Sequence, residues 1–172
     1  MNLDRILFIG SPGSGKSTLA KIVAEKKNLP LVHLDRLFWR DGWTQVSKED
    51  FDRSLAEELK KERWIIDGNF SRTMEMRIAR ADTIVFLDYP RHICVFRVLK
   101  RVITNYGESR SDMGGNCPER FDLSFLKFVW KFPEHSKKKI LSLLENAEGK
   151  NVITVRNEKE RKAFLALLEA KK

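Results

Sequence analysis

The sequence predicts a single α/β domain of 172 residues, with helices covering both faces of a five-stranded parallel sheet. Three observations predict it. Five short, continuous apolar runs recur along the chain, the form taken by parallel strands buried on both faces. Stretches with helical spacing of apolar residues separate these runs, as parallel crossover connections require. Between the first run and the first helical stretch lies Gly10-Ser11-Pro12-Gly13-Ser14-Gly15-Lys16-Ser17, the full spacing G-x-x-x-x-G-K-[ST] in a strand–loop–helix setting.

The elements follow in order. Ile6 to Ile9 forms the first strand, and Leu19, Ile22 and Val23 place a helix from about Lys16. Backbone amides around Gly13, Ser14 and Gly15 then converge at a helix amino-terminus, where phosphate oxygens bind. Residues Gly10 to Ser17, with Thr18 beside them, are expected to cradle ATP; Lys16 reaches its outer phosphates and the Ser17 hydroxyl faces Mg²⁺. Leu31 to Leu34 is the second strand. Ser47 caps a helix running to about Lys61, with Asp50 in a position like that of a capping box. Trp64 to Ile66, Thr83 to Leu87 and Asn151 to Val155 are the remaining strands. Phe121, Phe125, Phe128, Val129 and Phe132 recur at helical spacing and are expected in the core, with Pro133 ending their helix. Phe164, Leu167 and Leu168 are expected to form the inner face of the last helix. His33 is expected to be a packed strand residue.

Composition narrows the function. Hydrophobic residues make up 42%, which fits a globular chain, and no apolar run is long enough for a bilayer span. Asp4 and Arg5 interrupt any signal-peptide pattern, so a cytoplasmic location is expected, with Cys94 and Cys117 as free thiols. No zinc-ligand spacing is present. The net charge of +9 fits either nucleic acid or an enzyme that clamps polyphosphates. Arg91, Arg97, Lys100 and Arg101 fall in a stretch without acids, whereas Lys137, Lys138 and Lys139 read as a solvated helix face. Residues 106–120 hold Gly107, Gly114, Gly115 and Pro118 with little apolar content. This segment is expected to be an exposed loop acting as a lid, and residues 36–63 a small substrate-binding region.

In an open parallel sheet, ligands bind beyond the carboxyl ends of the strands. Asp35, Asp67 and Asp88 each follow a strand at that edge. Each can serve a metal through water, accept a substrate proton, or cap a turn. For Asp35 the choice is between gripping a substrate hydroxyl as a base and capping the following helix. Arg97, Arg101 and Arg110 are expected to stabilise a transferring phosphoryl group, with a solvated helix face as the alternative for one of the first pair. Trp39 and Trp43 can stack on a ring, with core packing expected for at least one.

Three resemblances sharpen these expectations. Trp64-Ile65-Ile66-Asp67-Gly68-Asn69-Phe70-Ser71-Arg72-Thr73 resembles the third-strand signature of adenylate kinases, and the pair Arg97 and Arg101 resembles the arginines that open their lid. That resemblance implies a P-loop NTPase fold with strand order 2-3-1-4-5. It also implies that Asp67 holds Mg²⁺ with Ser17, Asp88 being second choice; Arg72 of that signature is a candidate substrate contact, beside Asp35 and Trp39 from the readings above. The four-cysteine lid pattern and the Pro-Arg pair after Asp-Gly are absent here. Shikimate kinases are similar in placing an aspartate just after the second strand. His33 to Trp39, Asp67-Gly68-Asn69, Asp112-Met113 and Cys117 to Asp122 resemble the bacterial DNA topology modulation, or FlaR-like, group, which implies adenylate-kinase kinship but no defined reaction.

The expected function is transfer of the ATP γ-phosphate to a small molecule, a nucleotide or nucleoside being one candidate acceptor. An ATP-dependent regulator associated with DNA is the alternative, and ATP hydrolysis uses the same site. No helix-turn-helix, zinc-finger or RNA-binding signature is present. The acceptor is not legible.

Overall fold

The computed structural model describes residues 2–169. In chain order the elements are β1 (Arg5–Gly10), α1 (Lys16–Lys27), β2 (Leu31–His33), α2 (Leu34–Phe38), β3 (Trp39–Arg40), β4 (Thr44–Gln45), α3 (Lys48–Lys60), β5 (Trp64–Asp67), α4 (Met74–Arg80), β6 (Thr83–Leu87), α5 (Arg91–Thr104), α6 (Leu123–Lys131), α7 (Ser136–Glu145), β7 (Asn151–Val155) and α8 (Glu158–Glu169). The main sheet has the order β2-β5-β1-β6-β7 and is parallel throughout; β3 and β4 form a separate antiparallel hairpin. Counting only the strands of the main sheet, this is the order 2-3-1-4-5.

Alternation along β1 explains the two cores. Ile6 and Phe8 join Leu19, Val23, Cys94, Val98, Val129, Phe164 and Leu168 on one face of the sheet. Leu7 and Ile9 join Leu34, Phe51, Leu55, Met74, Ile78, Phe132 and Ile140 on the other. Both faces are therefore dry, which is why the strands read as unbroken apolar runs. Ser47 caps α3 by accepting the Asp50 N–H at 3.0 Å.

Register places the chemistry. Phe8 lies opposite both Asp67 on β5 and Val85 on β6, and His33 lies opposite Asp67. The carboxyl ends of β1, β2 and β5 therefore deliver the glycine loop, His33 and Asp67 to one edge.

Four packing expectations need correction. Val129 and Phe132 are buried, but Phe121, just ahead of α6, and Phe128, within it, are exposed, because both border a cleft. Leu167 is also exposed, since only Phe164 and Leu168 of α8 meet the sheet. Neither Trp39 nor Trp43 is buried; Trp64 is the tryptophan that fills the core. The segment 106–120 is not a bare loop. Met113, Cys117 and Glu119 are buried, and single bridges join Tyr106 to Glu119 and Ser109 to Pro118.

That segment packs as a strap on the region around α2 and β3. A Cβ on Gly114 would lie 2.1 Å from the Trp39 carbonyl oxygen and 2.5 Å from that of Arg36. The Asn116 N–H donates to Asp41 Oδ1, and Trp43 Nε1 donates to the Pro118 carbonyl at 3.1 Å. Trp43 has a φ of 63°, uncommon for a bulky residue, and this strap bond helps hold it there.

Candidate active site

The glycine loop is fixed by backbone contacts. Gly13 has a φ of 78°, and a Cβ there would lie 2.3 Å from the Cys94 carbonyl oxygen, so α5 presses directly on the loop. Gly15 begins α1 without a side-chain cap, and the first turn carries no acid. The leading amides of α1 are thus left for an anion, as at other phosphate-binding helix ends. The Ser14 hydroxyl is buried without a hydrogen-bond partner, a further polar group aimed at no protein atom. These features fit a polyphosphate.

Lys16 Nζ donates to the Ser11 carbonyl at 3.0 Å. Burial lowers its affinity for a proton, while Asp67 and Asp35 push the other way. Asp67 is buried; its Oδ2 accepts from His33 Nδ1 at 3.0 Å, and its Oδ1 has no partner. A carboxylate oriented through one oxygen, with the other left over, fits a hydrated divalent cation opposite Ser17. Asp88 is different. It accepts from Lys137 Nζ at 2.7 Å and does not line the cleft. That bond also takes Lys137 out of the solvated face expected for the lysine run.

The loop after Asp67 is held by Asn69, which the sequence marks only as part of a signature, and by Arg77, which it does not mark at all. Asn69 Oδ1 accepts the Gly10 N–H at 3.0 Å and Asn69 Nδ2 donates to the Gly10 carbonyl at 2.7 Å, tying the loop to the start of the phosphate cradle. Arg77 is fully buried and donates to the carbonyls of Gly68 at 2.7 Å, Phe70 at 2.8 Å and Thr73 at 3.2 Å, and also to that of Asn69. Desolvation drives its proton affinity well down, with Asp67 opposing. A buried helical arginine gives no signal in one sequence; only the fold shows that it grips this loop.

A single cleft of about 1050 Å³ brings the candidates together. Pro12, Gly13, Gly15, Lys16, Ser17, Thr18, Asp35, Trp39, Asp67, Arg97, Arg101 and Arg110 line it; Gly10, Ser11 and Ser14 lie behind in the loop. His33, Trp43, Phe121, Phe125 and Phe128 line it too. Arg72 does not. It points outward in a two-pronged ion pair with Asp52, at 2.5 and 2.7 Å.

The arginines are braced rather than loose. Arg97 donates to the Ser14 carbonyl at 3.2 Å and to Glu158 at 2.9 Å, and lies over the Tyr89 ring. The buried Glu119 pairs with Arg101 Nε at 3.0 Å and Arg110 Nε at 2.6 Å. Arg110 also pairs with Asp112 at 3.0 Å. Burial and the neighbouring Arg110 lower the proton affinity of Arg101.

Asp35 stands in the first turn of α2, whose capping position is His33, so the expected alternative of a helix cap is not used. Burial raises the carboxyl's proton affinity and Asp67 adds to it; Arg110 and Lys16 oppose. Asp35 therefore sits electrostatically between Lys16 and Arg110.

Sheet order and glycine cradle together define a P-loop nucleotide-binding α/β domain. The comparisons agree with that class. A family model described as "ATPase family associated with various cellular activities (AAA)" matches residues 6–88. The chain is 26% identical to a protein of Pyrococcus abyssi described as "Putative adenylate kinase", over 64% of this chain and 60% of that protein. It is 37% identical to the adenylate kinase of Ruminiclostridium cellulolyticum over 41% of this chain and 42% of that enzyme. The chain thus spans about half the length of the curated relatives it matches. The crystal structure of a "putative kinase" from Chloroflexus aurantiacus superposes over 99% of this chain and 100% of that one, with a TM-score of 0.56 and 15% identity. Among the described residues no helix is long and apolar enough to cross a membrane.

Proposed function

We propose that the protein is an ATP-dependent small-molecule kinase, transferring the γ-phosphoryl group to an acceptor of nucleoside or nucleotide size. The observation that carries this reading is convergence. The P-loop lysine, two carboxylates from neighbouring strand ends and three braced arginines line one cleft large enough for two ligands.

The roles follow from position. Amides at the start of α1 and Lys16 bind and orient the triphosphate. Ser17 and Asp67 would hold Mg²⁺, which when bound neutralises phosphate charge. His33 fixes the Asp67 carboxylate. Asp35 orients the acceptor and takes its proton. Arg97, Arg101 and Arg110 present guanidinium groups to the charge that builds on the transferring phosphoryl. The strap 106–120 acts as the lid that excludes water, which favours transfer over hydrolysis.

The likeness to the DNA topology modulation group rests on sequence motifs. The cleft supports phosphotransfer rather than DNA binding, because the arginines turn inward and Lys137 is engaged by Asp88. The test is ADP production from Mg-ATP with and without a panel of acceptors. Slow turnover alone and faster turnover with one acceptor class is the expected result. Equal turnover in every case overturns the kinase reading in favour of an ATPase.

A further inference from the structure

Resting on the kinase reading, we infer that the acceptor's reacting group is a hydroxyl on a planar-ring compound, not a phosphate. The acceptor end of the cleft is acidic. Around Asp35 the charges are the carboxylates of Asp67 and Asp112 and the cations of Arg110 and Lys16, and Glu119 lines the same cleft. Of the cations nearby, Lys16 belongs to the triphosphate cradle, and Arg110 is engaged by two of those carboxylates, Glu119 at 2.6 Å and Asp112 at 3.0 Å. Arg72, the arginine that the strand signature would supply for an acceptor phosphate, faces away and is matched by Asp52. Arg120 also lines the cleft, exposed, with its guanidinium over the Trp43 ring, and is not among the charges that act on Asp35. A phosphate monoester, with its second pKa near 6 and thus close to two negative charges at neutral pH, would enter this acidic end, where the arginine that acts on Asp35, Arg110, is already held by two carboxylates.

The chemistry points the same way. A phosphate oxygen is already ionised and needs no base. An alcohol needs one, and Asp35 supplies it. The hydroxyl O–H bond breaks with its proton passing to Asp35. The oxygen forms a bond to the γ-phosphorus, and the bond from that phosphorus to the bridging oxygen breaks. ADP leaves with the electron pair, and Asp35 returns the proton to solvent. No redox partner is required.

The walls select a flat ring. Trp39 and Trp43 meet edge to face with centroids 5.4 Å apart, and Phe70 joins them through Phe38, at 4.9 Å from each ring. Trp39, Trp43 and Phe70 all line the cleft. Offset or edge contacts of this kind suit an aromatic or heterocyclic ligand better than a flexible polyol.

The experiment uses the full chain with γ-labelled Mg-ATP and three matched sets: nucleosides, their 5′-monophosphates, and polyols of similar size. The expected result is transfer to nucleosides at least about tenfold faster than to either other set, and a loss of about a hundredfold or more in Asp35→Asn. Binding of a fluorescent ATP analogue should be unchanged in that variant. Faster transfer to monophosphates or to polyols overturns the inference while leaving the kinase reading in place. So does Asp35→Asn with undiminished transfer to nucleosides. ATP binding without transfer to any set overturns the kinase reading, and this inference with it.

Discussion

The two sides of the cleft are built by different means. The phosphate side is a local object: eight consecutive residues whose backbone, pinned between β1 and α5, makes the cradle. The opposite side is a tertiary object. Asp35, Trp39, Trp43, Arg110, Asp112 and Glu119 come from two segments about seventy residues apart, joined by Gly114 against Trp39 and Arg36, and by the Trp43 bond to Pro118. A backbone site tolerates little and can be recognised anywhere. A side-chain site can be retuned by exchanging residues, which suits an acceptor pocket on a reused fold.

The comparison predicts that damage on the phosphate side is near-total. Lys16→Ala should abolish turnover, at a cost of about a thousandfold or more in rate, because the outer phosphates lose their direct cation. Steady-state kinetics decides it, and turnover within tenfold of the parent would break the assignment of the cradle. The neighbouring carboxylates should separate. Asp67→Asn should slow turnover and raise the Mg²⁺ requirement far more than Asp88→Asn, since the unpartnered oxygen belongs to Asp67 while Asp88 is occupied by Lys137. A reversed order would move the metal site to β6.

The acceptor side should show graded effects instead. Glu119→Gln leaves the strap's backbone bonds in place but removes the ionic partner of Arg101 and one of the two of Arg110, Asp112 remaining. A loss of about ten- to a hundredfold in kcat with little change in ATP affinity is expected. Hydrogen exchange of 106–120 should slow when a non-hydrolysable ATP analogue binds, and more so with acceptor; unchanged exchange would make the strap a static wall. Asp35 gives a stability counterpart. A carboxyl whose folded proton affinity is raised contributes most stability at acid pH and loses it as pH climbs from its unfolded pKa to its folded one. At neutral pH Asp35 therefore costs stability, and Asp35→Asn in ligand-free protein should raise the thermal midpoint, by about 2–4 °C for each kcal/mol recovered. A lower midpoint at pH 7 with no difference near pH 4 would show that Asp35 is stabilised where it sits.

The same division explains what the sequence disclosed. Strand positions and the cradle were legible because both are written in contiguous residues: apolar runs for dry strands, glycine spacing for the turn. The strand order was legible only through the likeness of the Asp67 segment to a known signature. His33 read as packing, since nothing in a strand pattern reveals that it will face Asp67 across β2 and β5. Phe121 and Phe128 read as core because helical spacing shows that a face is apolar but not what it faces. Segment 106–120 read as a loose loop because Met113, Cys117 and Glu119 are buried by a partner segment distant in sequence. Arg77 was invisible for the same reason.

The smallest expected effect is the most discriminating. Arg72 stands where the third-strand signature of adenylate kinases would place a substrate arginine, yet it lies outside the cleft and pairs with Asp52 on the surface. Exposed ion pairs contribute little to stability, and an arginine outside the cleft meets no phosphate. Arg72→Ala should therefore leave turnover within about twofold and the thermal midpoint unchanged, and Asp52→Asn should do the same. The check is kinetic, with acceptor varied at saturating Mg-ATP. A rise of tenfold or more in the acceptor KM for Arg72→Ala, absent in Asp52→Asn, would mean that the arginine leaves Asp52 and swings inward when acceptor binds. The acceptor side would then include a cation supplied only in the closed form, and a phosphate acceptor would regain the partner that the acidic end otherwise lacks.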